Sequence, residues 1–155
     1  MSAASRADQK VMPFGPPKSG WDYKGKGAPK VRVYLAGPMR NIPLWNFPRF
    51  DEAAEQLRHK GFEVVNPADL DRAIGVNETT TDLPENFIYD ALRRDFTEIL
   101  QCEGIVFLEG WEKSSGARAE ARVGLDIGLK FWEIGPRGGL SSIPRRWVRE
   151  EVGCE

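Results

Sequence analysis

Gly104-Ile105-Val106-Phe107-Leu108 and, after a short connection, Ser114-Ser115-Gly116-Ala117-Arg118-Ala119-Glu120 decide how this chain folds. The first stretch is almost wholly apolar, as expected of a central parallel strand covered on both faces. In the second, Ser114 or Ser115 reads as the N-cap of a helix, because a serine oxygen accepts from the free amides of the first turn. That helix runs to about Lys130 and places Glu120 on one face with Gly116, Val123, Gly124 and Ile127. Arg118, Arg122 and Asp126 occupy the opposite side. A carboxylate on the small, apolar face is costly unless it is paired or used.

The same grammar extends in both directions. Val31 to Ala36 is a β-branched run ending in Gly37-Pro38, a strand and its turn. Asn46 caps a helix with Pro48 in its first turn and Phe50, Ala53, Ala54 and Leu57 as its apolar stripe, and Gly61 ends it. Phe62 to Val65 is a second strand. Residues 67–83 read as a long polar connection of the kind that forms functional lids. Pro84 opens a helix to about Gln101. Phe131 to Ile134 is a fourth strand, Pro136 to Gly139 a turn, and Ser142 to Glu151 a last helix. The alternation of strand and helix predicts an α/β three-layer sandwich with a parallel sheet of four to five strands. Ligands of such sheets bind at the carboxyl ends of the strands, where the Gly37 and Ser114 turns both lie. Residues 1–30, rich in Gly, Pro, Lys and Ser, read as an extended or disordered arm before a domain spanning 31–155. Phe14, Trp21 and Tyr23 would let parts of that arm pack on the body or a neighbouring subunit.

The chain has 155 residues and a formal net charge of −1, with an apolar share of 41%. These values suit one domain with a real core and give no reason to expect a nucleic acid polymer or a membrane as partner. No apolar run reaches the roughly 20 residues of a membrane span. Cys102 and Cys154 lack metal-like spacing and read as reduced thiols of a cytoplasmic protein. The single histidine, His59, sits in a polar helix stretch and reads as a solvated surface residue.

A second acid stands out. In the helix from Pro84, Asp95 lies on the stripe formed by Phe87, Ile88, Ala91, Leu92, Phe96, Ile99 and Leu100. Two inward acids beside strand ends suit attack on a sugar carbon with proton transfer, as in glycoside cleavage. The alternative is that each pairs with an arginine or caps a backbone group. Arg40 and the Ser114 helix start are candidates to grip one phosphate, with a plain tight turn at Gly37-Pro38 and an ordinary serine cap as the alternatives. Trp45 and Phe47 are candidates to stack on a base, with core packing the alternative for at least one. Trp111 walls a pocket or packs in the core, and Tyr34 points to one or the other.

Together these residues resemble the nucleoside 2-deoxyribosyltransferase-like superfamily, nearest its nucleoside-monophosphate N-glycosidases and small phage and bacterial relatives. The likeness covers roughly residues 31–134, with a weaker extension to about 146. It rests on Tyr34-Leu35-Ala36-Gly37-Pro38-Met39-Arg40, on the place of Asp95 before the apolar strand, and on Ser114-x-Gly116-x-x-x-Glu120. The resemblance implies a flavodoxin-like fold and cleavage of a nucleoside or nucleotide N-glycosidic bond without cofactor or metal. Glu120 would be the nucleophile, Asp95 would orient the sugar or protonate the base, and Tyr34 would position Glu120. Gly37, Met39, Arg40, Ser114 and Gly116 would line the substrate and phosphate site. Ser141, in Leu140-Ser141-Ser142-Ile143, would reach the phosphate of a neighbouring subunit, implying a homodimer or higher homo-oligomer. Pro38 replaces a possible phosphate donor, and Gly110 to Lys113 is an insert of the phage-like group. The expected activity is an N-glycosidase for a (deoxy)nucleoside 5′-monophosphate. Base exchange by a nucleoside 2-deoxyribosyltransferase and a non-catalytic nucleotide-binding module are the alternatives.

Overall fold

The computed structural model describes residues 30–153. The arm with Phe14, Trp21 and Tyr23, and Cys154, lie outside the described residues. The elements are β1 (Arg32–Ala36), α1 (Phe47–His59), β2 (Glu63–Val65), α2 (Pro67–Ala73), α3 (Phe87–Ile99), β3 (Gly104–Phe107), α4 (Ser115–Asp126), β4 (Lys130–Ile134), β5 (Leu140–Ile143) and α5 (Arg145–Val152). The sheet order is β2-β1-β3-β4-β5. The first three pairings are parallel and β4–β5 is antiparallel. This is the expected three-layer α/β sandwich, with an antiparallel edge strand added.

The period of two along each strand sorts the core into two layers. Tyr34, Ala36, Ile105, Phe107 and Phe131 pack with Ile99, Ala117, Ala121, Val148 and Val152 from α3, α4 and α5. Val33, Leu35, Val106, Leu108 and Ile134 pack with Phe50, Ala53, Ala54, Leu57 and Ala68 from α1 and α2. All four residues of β3 are buried, as a strand flanked on both edges and covered on both faces must be. Two glycines permit close approach. A Cβ on Gly124 would lie 2.8 Å from Ile105 Cδ1, so α4 rests directly on β3. A Cβ on Gly104 would lie 2.2 Å from the Trp132 ring and 2.8 Å from the Lys130 carbonyl.

Four expectations are corrected. Residues 67–83 are not one loop, because Pro67–Ala73 form a helix whose cap, Asn66, accepts from the Ala68 amide at 3.0 Å. Asn66-Pro67 is a cap followed by an N1 proline, a start signal hidden by the polar residues after it. Helix α3 begins at Phe87, not Pro84. Helix α4 ends at Asp126, near Gly128 in the left-handed region at φ 81°. Leu140–Ile143 is a strand, and the last helix starts after Pro144 rather than at Ser142. Its pairing with β4, Ile134 against Leu140 and Phe131 against Ile143, overrides the local pattern.

Gly104→Ala forces a methyl group into a site bounded by backbone and an indole. The expected cost is about 1–3 kcal/mol, seen as a fall of several degrees in Tm by circular dichroism. An unchanged Tm contradicts the packing described.

Candidate active site

Strand β1 leads to β2 on one side while β3 joins it on the other, so the chain parts at the carboxyl ends of β1 and β3. That is the topological switch point of an open sheet. A cavity of about 550 Å³ opens there. Gly37 to Ile42 follow β1 into its wall, Glu109 and Gly110 follow β3, and Lys113 to Ala117 and Glu120 come from the start of α4. Phe87, Ile88, Ala91, Leu92, Arg94 and Asp95 of α3 close the other side. The first four are only half-buried because they face this hollow and not the core.

Glu120 is 7% exposed, and among the described residues no cation pairs with it. The Tyr34 hydroxyl donates to its Oε1 at 3.2 Å. Tyr34 is fully buried in the layer beneath α4, placed there by strand parity. Burial, then the charge of Asp95, pushes the Glu120 carboxyl well above its ordinary value, while Tyr34 and Arg94 oppose the rise. Burial likewise lifts Asp95 to about 6 against the pull of Arg94. Tyr34 is itself pushed up, by burial first and by the two acids next. Asp95 is 7% exposed, and its Oδ1 accepts from Arg94 Nη2 at 2.9 Å and Nε at 3.1 Å. The same Nη2 donates to Asp71 Oδ1 at 2.8 Å. Asp95 is thus ion-paired, whereas Glu120 has no ion pair among the described residues.

The cavity also has cations in its lining. Arg40 and Lys113 line it and are exposed. Ser114 caps α4, its Oγ accepting from the Ala117 amide at 3.2 Å. The amides of Ser115 and Gly116 belong to the first turn, which has no intrahelical acceptors. A Cβ on Gly116 would meet only Ser114 Oγ, at 3.9 Å, so this glycine keeps space open to the cavity. Gly37 is needed for packing as well, since a Cβ there would lie 2.8 Å from Leu108 Cβ.

Trp45 lines the cavity and donates from Nε1 to the Thr80 carbonyl at 2.9 Å. It sits in a left-handed turn, Leu44, Trp45 and Asn46 having φ of 57°, 55° and 58°. Asn46 therefore does not cap α1 with its side chain and instead donates to the Pro38 carbonyl at 2.8 Å. The other two aromatic candidates lie elsewhere. Phe47 is fully buried in the α1 layer, with the Arg72 guanidinium 5.0 Å from its ring centroid. Trp111 is 2% exposed and stacks on Phe107 at 3.9 Å. Neither lines the cavity, so the structure replaces their expected stacking role with core packing. Ser141 is exposed on β5 opposite Glu133 and does not line this chain's cavity. His59 is exposed, 3.8 Å from Glu55.

The cavity thus gathers Glu120, Asp95, Gly37, Met39, Arg40, Trp45, Ser114 and Gly116, with Tyr34 behind Glu120. Sequence reasoning missed Asp71, Arg94 and Lys113. Asp71 carries no signal because its segment reads as a loop, and Arg94 carries none because it falls off the apolar stripe of α3. Among the described residues no His, Cys, Asp and Glu cluster fits a metal ion, and no helix is long and apolar enough to cross a membrane.

Residues 31–132 match a family described as Domain of unknown function (DUF4406). No curated protein matches the sequence. Among solved structures, the fold is similar to that of a 2-deoxyribosyltransferase from the psychrotolerant bacterium Bacillus psychrosaccharolyticus. The TM-score is 0.51 and the identity 16%, over 78% of this chain and 82% of that one. At this identity the likeness is one of fold, and it is the flavodoxin-like fold expected from the sequence.

The folded chain holds protons on Glu120 and Asp95 more tightly than the unfolded chain does. Their contribution to stability is therefore full below the ordinary carboxylate range, about pH 4, and is lost as pH rises through the raised folded values. Glu120→Gln is expected to raise Tm at about pH 7.5, with a gain that shrinks towards pH 4 in scanning calorimetry. No gain at the higher pH contradicts the unpaired burial of this group.

Proposed function

The chain belongs to the DUF4406 family, and we propose that this member cleaves the N-glycosidic bond of a (deoxy)nucleoside 5′-monophosphate. The observation that carries the reading is Glu120: a buried carboxyl with no ion-pair partner among the described residues, facing a sugar-sized hollow that also holds Asp95. An ionised Glu120 attacks C1′ of the sugar. The C1′–N bond breaks and its electron pair leaves with the base, which takes a proton from Asp95. A glycosyl ester on Glu120 results. Water then attacks C1′, gives its proton to Asp95 and frees the sugar phosphate and Glu120. A raised Asp95 suits it to donate a proton near neutrality. Tyr34, which favours the Glu120 anion, offsets part of the cost of burying it.

Arg40, Lys113, Ser114 and the first-turn amides of α4 support the choice of a phosphorylated substrate, since all belong to the lining of one cavity and suit an anion. Trp45 is the aromatic wall for the base. Ser141 enters only if a second copy brings β5 to the cavity, which makes a homodimer part of this reading. Base exchange is a second reading, favoured by the fold likeness to a 2-deoxyribosyltransferase. It differs only in whether base or water resolves the glycosyl ester.

The protein is incubated with nucleosides and their 5′-monophosphates, with and without a free base, and products are separated by chromatography. Base release from monophosphates is expected. Glu120→Ala lowers it at least about 10³-fold, and Arg40→Ala raises KM for monophosphates while leaving nucleosides unchanged. Exchange confined to nucleosides establishes the second reading, and silence across the panel overturns both.

A further inference from the structure

The mechanism leaves one buried carboxyl unused. Asp71 of α2 is 4% exposed, lines the cavity, and meets Arg94 of α3. A single nitrogen, Arg94 Nη2, lies 2.8 Å from Asp71 Oδ1 and 2.9 Å from Asp95 Oδ1. One guanidinium therefore serves two carboxylates, and a third, Glu120, stands nearby with a phenol as its partner. The groups facing Asp95 are Tyr34 from β1, Asp71 from α2, Arg94 from its own helix and Glu120 from α4. Arg40 and Lys113 line the same hollow from the loops. Three buried acids against one shared cation cannot all be charged cheaply.

We propose that Asp71 and Arg94 are positioning residues that form a charge-setting clamp on Asp95, Asp71 drawing off part of the Arg94 charge so that Asp95 can take up and release a proton opposite Glu120. Arg94 alone would hold Asp95 as a permanent anion, fit to orient a sugar but unable to protonate a leaving base. Without Arg94, Asp95 beside Glu120 would keep its proton. Asp71 places Asp95 between these limits. Burial raises Asp71 also, and Arg94 opposes that rise, so the two carboxyls compete for the same donor. The proposal rests on the glycosidase reading only for the role of Asp95; the clamp itself is a property of the free protein.

The clamp predicts opposite effects from two variants that break the same ion-pair chain. Arg94→Met takes the cation from Asp95 and raises its titration midpoint. Asp71→Asn is nearly isosteric, gives the whole Arg94 charge to Asp95 and lowers the midpoint. The full chain is labelled with ¹³C at aspartate carboxyl carbons and titrated by NMR, with Asp95→Asn assigning the resonance. Shifts of roughly one pH unit in opposite directions are expected. Arg94→Lys is expected to return the midpoint most of the way. Shifts in the same direction, or none, overturn the proposal. If Arg94→Met does not fold, Asp71→Asn decides alone: a downward shift supports the clamp, and an unmoved or raised midpoint overturns it. No turnover is needed. Failure of base release with the opposite shifts present defeats the glycosidase reading alone, and base release with unmoved midpoints defeats the clamp alone.

Discussion

The arrangement depends on a carboxyl group that has exchanged water for one phenol hydrogen bond. Glu120 is buried on the face of α4 that rests on the sheet, and among the described residues no cation forms an ion pair with it. Burying such a group disfavours its charged form, and the nearby Asp95 adds to the effect. A side chain held this way is a poor contributor to stability. Its position over a hollow at the switch point of the sheet makes it the candidate reactive group of this cavity.

Several local features hold this point in place. Strand parity puts Tyr34 under α4, and Gly124 lets that helix lie against Ile105 closely enough for the phenol to reach Glu120. The walls are fastened separately. A left-handed turn costs roughly 1–2 kcal/mol per residue, and Leu44 to Asn46 adopt one beside the cavity. That turn presents Trp45 to the hollow while its indole N–H holds the Thr80 carbonyl. The connection from α2 to α3 is also tied by Glu78 to Arg72, which pairs with Asp51 at 2.6 Å. Strain kept at a cavity wall and supported by surrounding bonds is the usual mark of a preorganised site.

The central strands and the acids were legible because burial leaves strong marks on sequence. The apolar run from Ile105 to Leu108 has one plausible place in an α/β protein, and Glu120 and Asp95 break helix patterns that are otherwise clear. What escaped was decided by tertiary contact. Leu140 to Ile143 is a strand because β4 offers it an edge, and its two serines gave no alternation to read. Helix α2 was masked by the polarity after Asn66-Pro67, and with it went Asp71. Arg94 adjoins Asp95 in sequence, yet its guanidinium folds back onto that neighbour and across to α2, a contact helical spacing does not anticipate. Aromatic residues near a pocket were ambiguous for a similar reason: Trp45 reached the cavity, whereas Phe47 and Trp111 filled the core.

In the proposed reaction Glu120 forms a bond to the sugar. A 2-fluoro-substituted (deoxy)nucleoside 5′-monophosphate with a good leaving base slows both steps and lets a glycosyl ester accumulate. Intact-mass spectrometry followed by peptide mapping reads the outcome. One added sugar phosphate per chain is expected, located on Glu120 and lost on standing. Base release with no adduct, or an adduct on another residue, contradicts it.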